Sequence, residues 1–312
     1  MPRDGSRRPG GNAVPLAPMD IGEVANPPFA VLPDPGRVFL TRSERFAALA
    51  PGHDLEPYLR LLSQIARAQH DILTDLPEPV LPSPERLQLA RENTMPPIST
   101  GQIVLEDSAN KIFGALVKAL AAAELADTSR AAVAAVEKAG PEARRLMMQA
   151  VILDQIPGDA IAEHVIAAAA VQVLFTRLAA KLDVETLERV ADGACPSCGG
   201  APVASAIVGW QGAHGTRFCT CSICATQWNV VRIKCLVCSS EKGIAYHSIE
   251  GGSETVMGET CEACDSYVKM LHQHKDAALE PFADDVASLA LDLTLTKEGW
   301  TRASVNPFLM GY

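Results

Sequence analysis

Eight of the nine cysteines in this chain fall into four Cys-x-x-Cys pairs: Cys195/Cys198, Cys221/Cys224, Cys235/Cys238 and Cys261/Cys264. The 194 residues before Cys195 contain none. Twenty-two residues separate the first pair from the second, and twenty-two separate the third from the fourth, so a shift of 40 positions carries one set onto the other. That is the mark of a duplicated module. A Cys-x-x-Cys turn puts two sulfurs on one side of a tight knuckle. Two knuckles together offer four thiolates in a tetrahedron, the donor set and geometry of zinc or mononuclear iron.

Other readings of the cysteines fit less well. Buried free thiols would not fall into paired spacings, disulfides need an oxidising compartment for which no secretory signal is seen, and a redox dithiol motif occurs once rather than four times. The 40-residue repeat favours metal sharing between neighbouring pairs over an interleaved cross-brace. Cys219 stands outside the pattern, because its counterpart at 259 is glutamate, and reads as a packed or spare thiol. In Cys195-Pro-Ser-Cys-Gly199, proline fixes φ within the turn and Gly199 permits the left-handed backbone that aims amide N–H groups at sulfur.

The elements that hold these knuckles are expected to be hairpins. In the first module, Pro202–Trp210 and Thr216–Thr220 flank a turn at His214-Gly215. In the second, Gly243–Ile249 and Glu254–Gly258 flank Gly251-Gly252. Residues 1–36 are proline- and glycine-rich and read as a flexible tail or extended arm. Residues 37–192 read as a helical domain. Its expected signals are a capping box of Thr41 and Glu44, a stripe from Leu55 to Leu73 capped by Asp54, and a helix around Ile112, Leu116 and Leu120. Pro141 opens another helix, Asp159 caps a long one through Leu178, and a last short one runs from Asp183 to Val190. The metal modules then occupy 193–232 and 233–275. A C-terminal helix from Pro281, with Val286, Leu289, Ala290 and Leu293 on one face, and a docking tail with Trp300, Phe308, Leu309 and Tyr312 fill 276–312. The fold class is α+β and multi-domain: a mainly helical N-terminal domain, two tandem rubredoxin-like or zinc-ribbon modules, and a C-terminal helix.

Composition narrows the function. With 48% apolar and 21% charged residues, 312 residues can build one or two real cores. The net charge of −10 disfavours nucleic acid and anionic membranes as partners. Residues 191–275 hold six Lys/Arg against seven Asp/Glu, and four-thiolate sites add negative charge, so a phosphate-gripping zinc ribbon is the least favoured reading. Arg7-Arg8 lacks a following apolar region and is read as incidental, and the uncharged run Val165–Thr176 is too short to span a bilayer. Glu163-His164 lacks a second histidine at helical spacing, and His70 reads as a surface residue. Four-thiolate sites leave His272 and His274 nothing to complete, and one of Met147-Met148 at least belongs to a core. P-loop, dinucleotide and nucleophile-elbow motifs are missing, so no catalytic or organic-cofactor residues are assigned.

The run Arg217-Phe-Cys-Thr-Cys-Ser-Ile-Cys-Ala-Thr-Gln-Trp-Asn-Val-Val-Arg-Ile-Lys-Cys-Leu-Val-Cys238 resembles the central signature of the formate dehydrogenase accessory protein family, FdhE. Glu259–Lys269 and the tail segments Ala283–Asp292 and Ser304–Leu309 resemble it as well. The resemblance implies two metal ions per chain, bound in a rubredoxin-like manner by the eight paired cysteines, with iron favoured and zinc fitting the same donors. It also implies a cytoplasmic, non-enzymatic maturation factor that contacts the catalytic subunit of respiratory formate dehydrogenase. A rubredoxin-like electron carrier is the alternative. Ala225, Ser239 and Asp265 depart from the rubredoxin pattern, which has glycine after each pair. Among residues expected to be exposed, Trp228, Arg232 and Tyr267 are candidate contact or support residues, with Trp228 favoured as packing on its own ribbon.

Overall fold

The computed structural model describes residues 26–249 and 251–310. Arg7-Arg8, Tyr312 and residues 1–25 of the expected tail lie outside them. The rest of that tail is docked rather than loose. Ala30–Val31 forms a short strand, β1, and the carbonyl of Phe29 accepts the Asn229 N–H at 2.9 Å. Main-chain pairing at a sheet edge needs no hydrophobic period and tolerates the flanking prolines, which is why composition concealed it.

The helical region comprises α1 (Pro35–Leu49), α2 (Glu56–Asp71), α3 (Pro84–Glu92), α4 (Thr100–Ile103), α5 (Asp107–Ala121), α6 (Asp127–Lys138), α7 (Pro141–Leu153) and α8 (Ile161–Ala179). The first helix starts earlier than the Thr41 capping box suggests, because Asp34 accepts the Gly36 N–H and Pro35 supplies a preset φ. Asp54 and Asp159 fall just outside the N-caps, at Leu55 and Ala160, of the helices they were expected to cap. The expected helix at 183–190 is only a 3-10 turn, Val184–Thr186.

Helix α8 is the axle of this region and packs against α1, α2, α5, α6 and α7. It is apolar on all sides, as a fully enclosed helix must be, and Ala167–Ala170 let its neighbours approach closely. At 19 residues it is longer than the 12-residue uncharged run suggested and reaches membrane-spanning length, but 78% of its apolar window is buried inside the protein. Gln172 breaks its apolar surface and is fully used. Its amide donates to the Ser222 carbonyl at 3.0 Å, and its oxygen accepts from Arg42 at 3.0 Å.

The strand-rich region follows, with β2 (Pro202–Ile207), β3 (Arg217–Cys221), β4 (Gln227–Val230), β5 (Ile244–His247), β6 (Val256–Cys261) and β7 (Ser266–Leu271). Each module is a three-stranded antiparallel meander, one strand more than the expected hairpin. The two meanders are fused: β2 runs parallel to β7, pairing Ser205 with Met270 and Ala206 with Leu271. One sheet results, ordered β1-β4-β3-β2-β7-β6-β5, with β8 (Thr301–Arg302) added to β7. The central strands β2, β3 and β7 are buried on both faces, whereas β5 forms an open edge.

The C-terminal helix is two helices, α9 (Pro281–Ala287) and α10 (Leu289–Lys297). At the break, the Lys269 ammonium donates to the Ser288 carbonyl at 3.1 Å, which also accepts the Leu291 N–H at 3.0 Å. The break rotates the apolar stripe, so Leu291 and Leu295 are buried while Ala290 and Leu293 are exposed. Phe308 and Leu309 dock onto the body, with Phe308 against Phe46 and Phe282. One continuous apolar core runs from Phe39 and Phe113 through α8 to Cys195, Phe218, Trp228 and Phe308.

Candidate metal centres

The sulfurs gather as neighbouring pairs. Cys195, Cys198, Cys221 and Cys224 form one group, and Cys235, Cys238, Cys261 and Cys264 form the other. Within each group all four Sγ atoms lie within 4.8 Å of one another. Sγ–Sγ separations are 3.5 Å for Cys195–Cys224, Cys198–Cys221 and Cys198–Cys224, and 3.7 Å for Cys235–Cys264 and Cys238–Cys261. A tetrahedron of thiolates at ~2.3 Å from a central ion has edges of ~3.8 Å. The separations therefore fit a four-thiolate ion and are far too long for disulfides, whose S–S bond is about 2.05 Å. Each group could hold one metal ion.

Backbone conformation produces this gathering. The residue after each pair is left-handed: Gly199 at φ 77°, Ala225 at 58°, Ser239 at 61° and Asp265 at 53°. The missing glycines thus leave the knuckle geometry unchanged, at a cost of about 1 kcal/mol for each side chain held there. Amide N–H groups turn inward as a result. Ile223 and Cys224 donate to the Cys221 sulfur, and Val237 donates to that of Cys235, each at 3.4 Å. Hydroxyls sit at equivalent places in the repeat, Thr226 3.2 Å from the Cys224 sulfur and Ser266 2.9 Å from that of Cys264. Such dipoles stabilise thiolate charge and suit a bound cation. Gly200 is needed for close approach, since a Cβ there would sit 3.0 Å from the Cys221 sulfur.

The two groups differ in their surroundings. All four cysteines of the first are buried, between 0% and 3% exposed. The helical region closes over them. Ile98 donates its N–H to the Ser197 carbonyl at 3.1 Å, Gln172 holds the Ser222 carbonyl, and Pro96 lies against Gly199. In the second group Cys235 and Cys261 are buried, but Cys264 is half-buried and Cys238 is exposed. Val231, Ile233 and Val237, around the exposed knuckle, are all more than half exposed. The N–H of Ser240 is the chief influence drawing the Cys238 thiol down to about 7, whereas burial pushes Cys261 up to about 12.

The remaining candidates have structural surroundings. Trp228 and Tyr267 are buried rather than exposed, the Trp228 indole N–H donating to the Asp192 carbonyl at 2.9 Å and the Tyr267 hydroxyl to Asp292 at 2.8 Å. Arg232 is exposed. Cys219 is buried, and burial pushes its thiol up to about 12. His272 and His274 meet edge to face, with ring centres 5.3 Å apart, and join neither sulfur group. His164 is buried and bonds the Ala160 carbonyl, and Met148 is a core residue.

Sequence reasoning missed the ionic framework between the modules. Arg217 on β3 is fully buried and donates to Glu259 on β6 at 2.8 Å, to Ser205 on β2 at 3.1 Å and to the carbonyls of Arg232 and Lys234. Burial raises the Glu259 carboxyl against the pull of Arg217. Nearby, Asp285 and Asp292 bridge Lys269 and Arg302, and Asn306 donates to Asp285 at 2.8 Å. The available signal was charge inside apolar runs, such as Lys269 between Val268 and Met270.

Family models described as FdhE, N-terminal; FdhE, central domain; and FdhE, C-terminal domain match residues 27–192, 194–232 and 233–309. A protein named Protein FdhE homolog from Rhizobium meliloti (strain 1021) is 42% identical over 297 residues, covering 95% of this chain and 97% of that protein. Protein FdhE from Salmonella choleraesuis (strain SC-B67) is 31% identical over 274 residues, covering 87% and 88%. The crystal structure of the FdhE protein from Pseudomonas aeruginosa superposes with a TM-score of 0.81 at 33% identity, covering 91% of this chain and 99% of that one.

Proposed function

The chain belongs to the FdhE family, and we propose that it is a cytoplasmic, non-catalytic factor that binds the catalytic subunit of respiratory formate dehydrogenase and supports its assembly. The observation that carries this reading is the pair of four-sulfur clusters in a member of that family. Cys195, Cys198, Cys221 and Cys224 ligate one ion, and Cys235, Cys238, Cys261 and Cys264 the other. With four cysteine donors each site is coordinatively filled, so the ion stabilises a shape and does not activate water. Binding free energy then becomes folding free energy for two ribbons too small to stand alone. The working units are the helical domain at 37–192, the modules at 193–232 and 233–275, and the docking segment at 276–312.

The test is a pull-down of tagged protein from cells producing the dehydrogenase under anaerobic conditions. Recovery of the catalytic subunit above an untagged control is expected, and recovery at control level counts against the proposal. A second reading, rubredoxin-like electron transfer, has the exposed Cys238 in its favour, since an ion there lies near the surface. Iron-loaded protein that gives no visible absorption change between oxidant and reductant removes it. The acidic balance supports neither nucleic acid nor anionic membrane as a partner.

A further inference from the structure

The duplication makes the two sites alike in donors, yet the fold treats them differently. The first lies inside the continuous core, with its four cysteines at most 3% exposed. Residues of the helical region hold the backbone of both its knuckles: Ile98 bonds Ser197, between Cys195 and Cys198, and Gln172 bonds Ser222, between Cys221 and Cys224. Cys198 borders a cavity between the knuckles and the C-terminal segment, yet it is 3% exposed and the other three cysteines are 0% exposed, so an incoming ligand needs local opening to reach those sulfurs. The second site has no such cover on one side. Cys238 is exposed, Cys264 is half-buried, and the knuckle from Cys235 to Cys238 carries the exposed Val237 at its tip.

We propose that the two sites have separate jobs: the first ion is a permanent part of the fold, and the second is exchangeable, reached by an external soft donor at the Cys238 edge. This rests on the reading that both clusters hold metal. The exchange is a ligand substitution without redox change. A donor atom of the incoming thiolate or chelator bonds the ion as the Cys238–metal bond breaks, and Cys238 is released as a solvated thiolate. The remaining cysteines follow, and the ion leaves with its new ligands. A thiol-bearing partner surface is the class of acceptor or donor this edge suits, because soft thiolates compete best for a thiolate-bound ion.

The experiment uses the full chain loaded with two equivalents of zinc and challenged with EDTA, metal content being sampled over time. Two phases of one equivalent each are expected. The slow phase should lag about 100-fold or more, since release from the sealed site requires sub-global opening. Alkylation with N-ethylmaleimide after the fast phase, followed by peptide mass spectrometry, should label Cys235, Cys238, Cys261 and Cys264 and spare Cys195, Cys198, Cys221 and Cys224. The Cys238→Ala variant should keep the helical circular-dichroism signal and the slow equivalent while losing the fast one. Single-phase loss of both ions, or label on the first four cysteines in the fast phase, overturns the division of labour and leaves metal binding intact. A folded protein that accepts no second equivalent overturns both.

Discussion

Arg217 shows how much of this molecule depends on charges placed where water is absent. It is 0% exposed and faces Glu259 across the junction of the two modules, with Nη1 donating to the Arg232 and Lys234 carbonyls that lead into the third knuckle. Removing one partner of such a pair strands the other, which typically costs about 3–5 kcal/mol. Arg217→Met is therefore expected to lower the denaturation midpoint sharply, and adding Glu259→Gln should recover a large part of the loss; guanidinium titration reads both. Cys219 makes a different prediction. Its thiol, raised by burial to about 12, should stay unmodified by iodoacetamide at pH 8 in the folded protein and react once unfolded. Because the folded-state value lies above the unfolded one of about 8.5, its contribution is complete below that pH and fades as pH climbs towards 12. The role of Arg217 was not visible from residue type, whereas the burial of Cys219 agrees with its reading as a packed thiol. The sulfur ligand candidates were legible because their spacing repeats, and Cys219 because it breaks that repeat, whereas a buried arginine carries no periodic signature.

At the level of elements, knuckle backbone overrides residue preference. Ala225 adopts φ 58° although its side chain disfavours that region. Ala225→Gly should thus stabilise the loaded protein by about 0.5–1 kcal/mol, the relief of left-handed strain outweighing the entropy lost by glycine; a calorimetric melting shift checks this. A drop in melting temperature would mean that the alanine methyl packs usefully. The first two strands of each meander were readable from their turns, His214-Gly215 and Gly251-Gly252. The third strands, β4 and β7, were not, because each starts two or three residues after a cysteine pair and leaves no turn residues of its own. Helix positions were set by stripes such as Ile112, Leu116 and Leu120, while their ends shifted wherever a cap lay elsewhere, as Asp34 does for α1. The break between α9 and α10 is bridged by Lys269, from another element, a contact to which local sequence gives no access.

For the whole molecule, the decisive fact is that one sulfur cluster belongs to the common core and the other to the sheet's far end. Cys195→Ser should reduce bound metal from two equivalents to one and lower the thermal midpoint of the helical signal at 222 nm. Cys261→Ser should also remove one equivalent but leave that signal and its midpoint nearly unchanged. Metal analysis with circular dichroism distinguishes these outcomes, and simultaneous loss of both ions from either variant would contradict the independence of the sites. The sequence indicated a helical part, two repeated modules and a terminal docking segment. It did not indicate their fusion into one sheet, because the β2–β7 join pairs residues 65 positions apart, Ser205 with Met270, on backbone bonds that any side chains permit.

The clip formed by β1 bears on how the chain is made. Ala30 pairs with Trp228, a residue that leaves the ribosome after 198 further amino acids have been added. At about 5–20 residues per second that is an interval of roughly 10–40 s. Throughout it the amino-terminal segment has no strand to join, and the helices have no sulfur cluster to close upon. Nascent chains starved of the ion should therefore stall with the helical layer assembled and its underside bare.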